Sequence, residues 1–579
     1  MTPLNETPKE ILADARQIAA SSEMPDSRQL ELTDKLTVEA WVRADDDRLE
    51  GMQALVSKWR PPDAMDRFAA HDAAGTDGLN STGYFGAVFD GRYVYFAAEM
   101  HGTQTTHANI LRYDTHGDFK TPQSYAAYDA SQTDGLEVRG FYGAVFDGRY
   151  AYFVPRQIDM DQYHSRILRL DTQGDFAAQS SWSAFDVGEA HSQQSAAFDG
   201  RYIYFCPGFY NDPKNESDYS GRVIRYDTRG EFKDRASYSS VDIAEFLGPQ
   251  AACFDGGAFD GRYIYLVPLY GHFAVRYDTR GDFADAKNWE GFDGDQIGMG
   301  ENVGAVFDGR HLYYCAYGHA NIARYDTRGD FADPGSWESR QVDHTGGMRT
   351  TGFDGGFFDG RFVYFQPFFV KGEDGKPKFH SHYLRYDPTK PFDEQASWQA
   401  HDASATDGLH SVGYNGGAFD GRYFYAAPWQ QGRDPTDPDL FITHGIVLRC
   451  DTLGSDGSFS LRYCDCGHNG GLNAAAPGPS FLLNTDQGAL NVAAHQKLAP
   501  GWHHLAGTYD GEHIALYIDG EVAAQREASG CIIDSDLPVI LGKIQDGLAA
   551  FRGEIAFARV QDRTMTAAEI RTSAQTFMH

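Results

Sequence analysis

FDGRYVYF, residues Phe89–Phe96, returns seven times along the chain, with copies beginning at Phe89, Phe146, Phe198, Phe259, Phe307, Phe358 and Phe419. The DG pair reads as a tight hairpin turn in which Gly accepts positive φ, and the alternating aromatic and β-branched residues after it read as a strand. Each copy is followed, after a variable insert, by a second phrase of the type ILRYDTHGDF, Ile110–Phe119. Successive copies are 57, 52, 61, 48, 51 and 61 residues apart, the period of a β-propeller blade. GAVF before the turn is then the innermost strand, RYVYF the second, ILRYD the third and SYAAYD the outermost. The Arg and Asp of RYD, such as Arg112 and Asp114, recur whatever the local loop is, and are expected to pair or cap turns.

The outermost phrase also occurs once too early. RFAAHDAAGTDGLNSTGY, from Arg67, parallels WQAHDASATDGLHSVGY, from Trp398, and YAAYDASQTDGLEVRGF, from Tyr125, yet no blade precedes it. The last blade, in turn, lacks that phrase after LRCDT. The segment at Arg67 is therefore expected to supply the outer strand of the last blade, closing a seven-bladed ring and removing two free sheet edges.

The flanks carry a different pattern. TVEAWV, LVSKW, SFSLR, WHHLAGTYDG, YIDGE, LGK and GEIAFARV resemble a laminin G-like (concanavalin A-like) jelly roll, over residues 25–59 and 457–575. In that fold LVSKW runs on to SFSLR through a short turn, and here the whole propeller lies between them. The fold class expected is all-β: a seven-bladed β-propeller inserted into a laminin G-like β-sandwich. The divisions are a helical segment at 1–24 (Ile11, Leu12, Ala15 and Ile18 on one side), jelly roll at 25–60, propeller at 61–456 and jelly roll at 457–579, ending in a short helix around TAAEI. The resemblance implies glycan or protein partners, often with calcium, although its calcium ligands find no residue-by-residue match here. The domain can equally be a rigid stand or an oligomerisation surface.

Composition excludes some partners. Lys plus Arg number 50 against 82 Asp plus Glu, a formal charge of −32 over 579 residues. Nucleic acid and anionic membranes call for basic patches, so neither is expected. Seven scattered cysteines form no disulfide framework. Cys464, Cys466 and His468 in YCDCGHNG are the closest cluster, but cysteines one residue apart on a strand face opposite ways. The first 22 residues contain no apolar run of the kind a signal peptide or membrane span needs. If Met1 is the native start, a cytoplasmic location is expected; a secreted protein is the alternative if the chain has been trimmed. The oligomeric state is not set by sequence.

Two sets of positions can be compared between blades. Five residues before the RYD arginine stand His107, His164, Ser220, Gly271, His319, His380 and His444, with His272 beside the fourth slot and His382 near the sixth. Imidazoles converging on an axis would hold a divalent transition metal; a residue inherited by duplication and bonded to a loop carbonyl is the plain alternative. Nine residues before each FDGR phenylalanine stand Asn80, Glu137, Glu189, Gln250, Gly298, Arg349 and His410, with His191 and Glu301 close by. These differ while the frame repeats, as an asymmetric ligand requires. Arg349 would clamp a carboxylate, His410 or His191 would act as base, and Glu137 or Glu301 as acid. Asn80 and Gln250, with Tyr270, Tyr317, Phe368 and Trp429, would line the substrate site, their flat rings suiting a sugar. The expectation is an enzyme with a His-lined funnel performing metal-assisted acid–base, lyase-like chemistry on a carboxylate-bearing or glycan substrate. A glycan-binding protein and a protein-interaction scaffold are the alternatives. A repeat lectin would more often keep its binding residues alike in every blade.

Overall fold

Each FDGR folds as a turn held by its own side chains. In blade 1 the Asp90 carboxylate accepts the backbone N–H groups of Arg92 and Tyr93 at 2.8 and 2.6 Å and the Tyr95 hydroxyl at 2.8 Å. Arg92 reaches the Asp114 carboxylate of the third strand at 2.8 Å. The same pairing recurs in every blade: Arg149–Asp171, Arg201–Asp227, Arg262–Asp278, Arg310–Asp326, Arg361–Asp387 and Arg422–Asp451. The RYD arginine therefore does not pair with its neighbouring aspartate. Arg112 lies instead over the Tyr93 ring at 4.2 Å and over Phe176 of the next blade at 4.3 Å, joining blade to blade.

The computed structural model describes residues 10–13, 23–24, 32–44, 52–59, 65–102, 104–159, 162–189, 191–210, 218–372, 376–437, 440–452, 457–465, 473–474, 478–494, 497–544 and 550–576. It divides into two units: Met1–Asp63 with Thr452–Cys466 and Pro477–His579, and Ala64–Asp451 with Gly467–Ala476.

The second unit is the propeller. Blade 1 orders Tyr84–Phe89, Tyr93–Ala98, Asn109–Asp114 and Tyr125–Asp129 from the innermost strand outward, and blades 2 to 6 repeat that order. Blade 7 takes Tyr414–Phe419, Tyr423–Pro428 and Ile446–Asp451 from the end of the repeats and Phe68–Asp72 from their beginning. The closing ladder runs from Ile446↔Asp72 to Cys450↔Phe68.

Every innermost strand carries a register shift three residues before its phenylalanine. In six blades the residue there is glycine, as at Gly86 (φ 73°), and in blade 3 it is Ser195 (φ 78°). A bulge of this kind, with its first residue left-handed, re-aims the side chain beside it. Blade 3 gains a further strand, Asn473–Ala474, parallel to Ala196 and Ala197 of its innermost strand.

The first unit has two six-stranded sheets. In one, Leu36–Ala44 lies between Gly553–Gln561 and Trp502–Tyr509, and in the other Met52–Trp59 pairs antiparallel with Gly457–Asp465. That pair is the hairpin into which the propeller is inserted. Leu36, Val38, Val42, Leu55, Phe459, Phe481, Leu505 and Leu516 form the core of this unit. The expected amphipathic helix near the N-terminus is corrected where it is described: Glu10–Ala13 is a strand on Gly553–Gln561. Glu23–Met24 is likewise a short strand, paired with Val539 and Ile540; the remainder of that segment, and Cys466 and His468, lie outside the described residues. The terminal helix is present as Ala567–Thr576.

Candidate functional site at the centre of the ring

The bulges decide what faces the ring centre. The residues just before them, four before each FDGR phenylalanine, are Phe85, Tyr142, Gln194, Asp255, Val303, Asp354 and Asn415, and all seven line one cavity of about 300 Å³. The ends of the second strands add another tier that includes Met100, Arg156, Phe209, Tyr270, Tyr317, Phe368 and Trp429. Ten and eleven residues after the repeat phenylalanine the chain thus supplies mostly rings. Phe85 packs edge-to-face on Tyr142 at 4.7 Å and tilted on Trp429 at 4.6 Å, and Tyr317 packs edge-to-face on Phe369 at 5.3 Å, so much of the wall is built of interlocked rings. Further along the innermost strand of blade 3, Ala196 and Ala197 are already paired to the inserted strand Asn473–Ala474.

Two carboxyls sit in this wall, each 1% exposed. Asp255 Oδ2 accepts the Tyr142 hydroxyl at 2.6 Å, and Asp354 Oδ2 accepts the Asn415 amide at 2.7 Å. Their Oδ1 atoms are buried and have no hydrogen-bond partner among the described residues. Burial pushes Asp255 up to about 7, against the opposing pull of Tyr142 and Arg156. Asp354 is driven well above the carboxylate range, first by burial and then by the charge of Asp255. The same burial raises Glu99 to about 7, although Arg156 at 2.9 Å favours its ionised form. Arg156 in turn lies over the rings of Phe85 and Tyr142 at 5.4 and 5.3 Å.

The histidines before each third strand have another task. His164 Nδ1 accepts the N–H of Arg166 at 3.0 Å and its Nε2–H donates to the Arg139 carbonyl at 2.8 Å. His319 does the same between Asn321 and Glu301, His380 between His382 and Thr351, and His444 between Ile446 and Gly413. His107 accepts from Asn109 and stacks on His101 at 4.0 Å. Ser220 accepts the corresponding N–H of Arg222 in blade 3. These imidazoles tie each third strand to the approach of an innermost strand, and burial lowers His107 to about 3 and His164, His380 and His444 to about 4. They do not converge on the axis. Among the described residues, three ligand atoms come within 4.8 Å of one another at one place, His272 with Asp293 and Asp295. His382 donates from Nδ1 to the Arg349 carbonyl at 2.8 Å.

Nine residues before the phenylalanine the structure finds mostly exposed positions, with Glu137 and Arg349 on the short strands Leu136–Glu137 and Met348–Arg349 and the half-buried Glu189 paired with Arg235. Asn80, Glu137, Gln250, Glu301, Arg349 and His410 are all exposed and none lines the cavity. Glu137 pairs with Arg139, and Arg349 Nη1 donates to the Lys371 carbonyl at 3.3 Å. His191 is buried beside Tyr210, lowered by burial to about 4, and also outside the cavity lining. Of the expected substrate-binding set, Tyr270, Tyr317, Phe368 and Trp429 do line it. The sequence reading missed Asp255, Asp354, Tyr142, Asn415, Glu99 and Arg156. The signal was present: the column four before the phenylalanine reads Phe, Tyr, Gln, Asp, Val, Asp, Asn.

Residues 444–571 match the family described as the concanavalin A-like lectin/glucanases superfamily. A solved structure described as YCF48 bound to D1 peptide is 15% identical, covers 68% of this chain and 98% of its own, and gives a TM-score of 0.41. The Cps50 (Swd1) β-propeller domain of Myceliophteria thermophila is 10% identical over 50% of this chain and 81% of its own, with a TM-score of 0.31. A putative 6-phosphogluconolactonase from Bacteroides uniformis is 13% identical over 63% of this chain and 98% of its own, with a TM-score of 0.37. No curated protein matches the sequence. The chain thus joins a β-propeller to a concanavalin A-like domain.

Proposed function

We propose that the propeller is an enzyme acting by acid–base chemistry on a small, ring-shaped, hydroxyl-bearing substrate, a sugar or sugar derivative, at the centre of the ring. One observation carries this reading: Asp255 and Asp354 are buried in an aromatic-walled cavity, each with one oxygen held by a neighbour and the other unpartnered. A carboxyl kept protonated by burial is a proton donor, and one near 7 can take or give a proton as required. Asp354 fits the first role and Asp255 the second. Tyr142 and Asn415 hold the two in place, and the rings of Phe85, Tyr317, Phe368 and Trp429 offer stacking faces for a sugar. Acid–base duty thus moves from the loop histidines and Arg349 to these carboxyls.

The test is turnover of a panel of aryl glycosides and oligosaccharides followed by mass spectrometry. Wild type is expected to process a member of the panel, with Asp255→Asn and Asp354→Asn each lowering the rate by about 10²–10⁴-fold and His410→Ala or Arg349→Ala leaving it within a few-fold. Turnover that persists in the double aspartate variant overturns the reading. A second reading, glycan binding without chemistry, is supported by the match of residues 444–571. It requires glycan binding that survives both aspartate substitutions.

A further inference from the structure

We infer that the molecule the ring cavity is built for carries a protonated amine. This rests on the proposal that the cavity is the substrate site, and deepens it by fixing the charge of the occupant.

The argument is an accounting of polar atoms. After Tyr142 has bonded Asp255 and Asn415 has bonded Asp354, the wall keeps two buried donors, Gln194 Nε2 at the innermost tier and Trp429 Nε1 beyond it, which a sugar's hydroxyl oxygens can satisfy, and three buried oxygens at the innermost tier: Asp255 Oδ1, Asp354 Oδ1 and Asn415 Oδ1, from blades 4, 6 and 7. All three belong to residues lining the cavity, and the residues are 1%, 1% and 2% exposed. A buried acceptor left unmade costs about 1–3 kcal/mol, so the occupant must bring donors. A hydroxyl brings one donor and two further lone pairs, whereas an ammonium brings three donors and no acceptor. The second group matches a tier that offers three acceptors from blades 4, 6 and 7.

Charge points the same way. Of the two arginines that line the cavity, Arg156 already faces the Glu99 carboxylate at 2.9 Å and Arg433 lies over the Phe441 ring at 4.0 Å. An arriving cation favours the ionised form of Asp255, an acceptor only, while the charge of Asp255 helps keep on Asp354 the proton its role as donor requires, its carboxyl still offering lone pairs to the amine. The rings of Phe85 and Tyr142 already carry one cation, Arg156, over them, so this wall accepts positive charge, and the net charge of −32 draws a further one in. A bare metal ion fits less well. Calcium and magnesium take oxygen ligands on most sides, whereas this wall is chiefly aromatic, and the cavity of about 300 Å³ suits an amine carried on a ring. An amino sugar satisfies both the stacking faces and the three acceptors.

The experiment uses the full chain in calorimetric titrations near neutral pH, with two matched pairs of probes: glucosamine against glucose, and benzylamine against benzyl alcohol. Calcium chloride is titrated separately, and Trp429 fluorescence reports occupancy. At least one amine is expected to bind tenfold or more tightly than its neutral partner. Asp255→Asn and Asp354→Asn are each expected to remove most of that preference while the neutral partner's binding changes less than about threefold. Melting curves check that the variants fold, and Arg349→Ala should keep the preference. Equal or tighter binding of the neutral partners overturns the inference while leaving the ring as the substrate site. Calcium that binds through the same two aspartates and excludes the amines overturns it in favour of a metal. Binding of the probes unaffected by any ring substitution, or no binding at all, removes both the inference and the reading beneath it.

Discussion

Asp354 and Asp359 stand five residues apart on one blade, and both are buried, at 1% and 0% exposure. Asp359 accepts two backbone N–H groups, from Arg361 at 2.8 Å and Phe362 at 2.7 Å, and has a counterpart in every repeat. Asp354 accepts the Asn415 side-chain amide and is favoured in its ionised form by the backbone N–H of Gly416 in the next blade, takes nothing from a turn of its own, and has Phe, Tyr, Gln, Asp, Val and Asn as its counterparts. Both keep one buried oxygen without a hydrogen-bond partner among the described residues. A carboxylate satisfied by the backbone of its own turn belongs to the frame. One buried without such partners costs stability, and the cavity beside it gives the reason to keep it.

The comparison can be broken at several strengths. The largest effect should come from the frame aromatics. Trp337 donates to the Phe331 carbonyl at 2.9 Å and stacks on Phe292 of the preceding blade at 4.1 Å. Trp337→Ala should cost about 3–5 kcal/mol in denaturant unfolding, with ligand binding to the surviving folded fraction intact. His164→Ala should come next. It removes an acceptor and a donor that join two backbones, a loss of about 1–3 kcal/mol, and should leave any activity in place.

The pH dependence separates the two regions by sign. The frame histidines have folded values below the unfolded one, near 3 for His107 and near 4 for His164, His380 and His444. The unfolded chain therefore binds more protons below about pH 6.5, and their contribution is full above that pH and lost as pH falls toward 4. Asp255, Asp354 and Glu99 are shifted the other way. Their contribution is full below the unfolded value of about 4 and lost as pH rises, through about 7 for Asp255 and Glu99 and in the same direction for Asp354. Urea unfolding at pH 4.5, 6 and 8 should show both limbs: His164→Ala flattens the acid one and Asp354→Asn the alkaline one. The smallest effects are expected from Arg349→Ala, His410→Ala and Glu137→Gln. These exposed side chains should change stability by no more than about 0.5 kcal/mol and should not move the pH profile.

Much of this frame is legible in the sequence because it is written seven times. The turn, the strand order, the closure through Phe68–Asp72 and the interrupted hairpin at Met52–Trp59 and Gly457–Asp465 all rest on repeated or paired phrases. The partner of Asp114 was misread because Arg112 is adjacent in sequence, whereas the ladder Tyr93↔Asp114 brings Arg92 to it. The site was sought nine residues upstream because GAVF reads as scaffold and strict alternation leaves no room for a bulge. The glycine column at Gly86, with Ser195 as its exception, was the trace of that bulge. The histidines show the converse: they repeat because five blades use the same staple, with Ser220 accepting the corresponding N–H in blade 3 and Gly271 at that position in blade 4.

The most direct test of whether the ring centre, not the repeated frame, is the functional part needs no ligand. Asp354→Ala and Asp359→Ala are each melted in denaturant at pH 8. Asp359→Ala should lose about 2–4 kcal/mol, because two buried N–H groups lose their acceptor, whereas Asp354→Ala should hold or gain stability as a carboxyl buried with an unpartnered oxygen is removed. Equal losses in the two variants would contradict the account, since Asp354 would then be one more member of the frame.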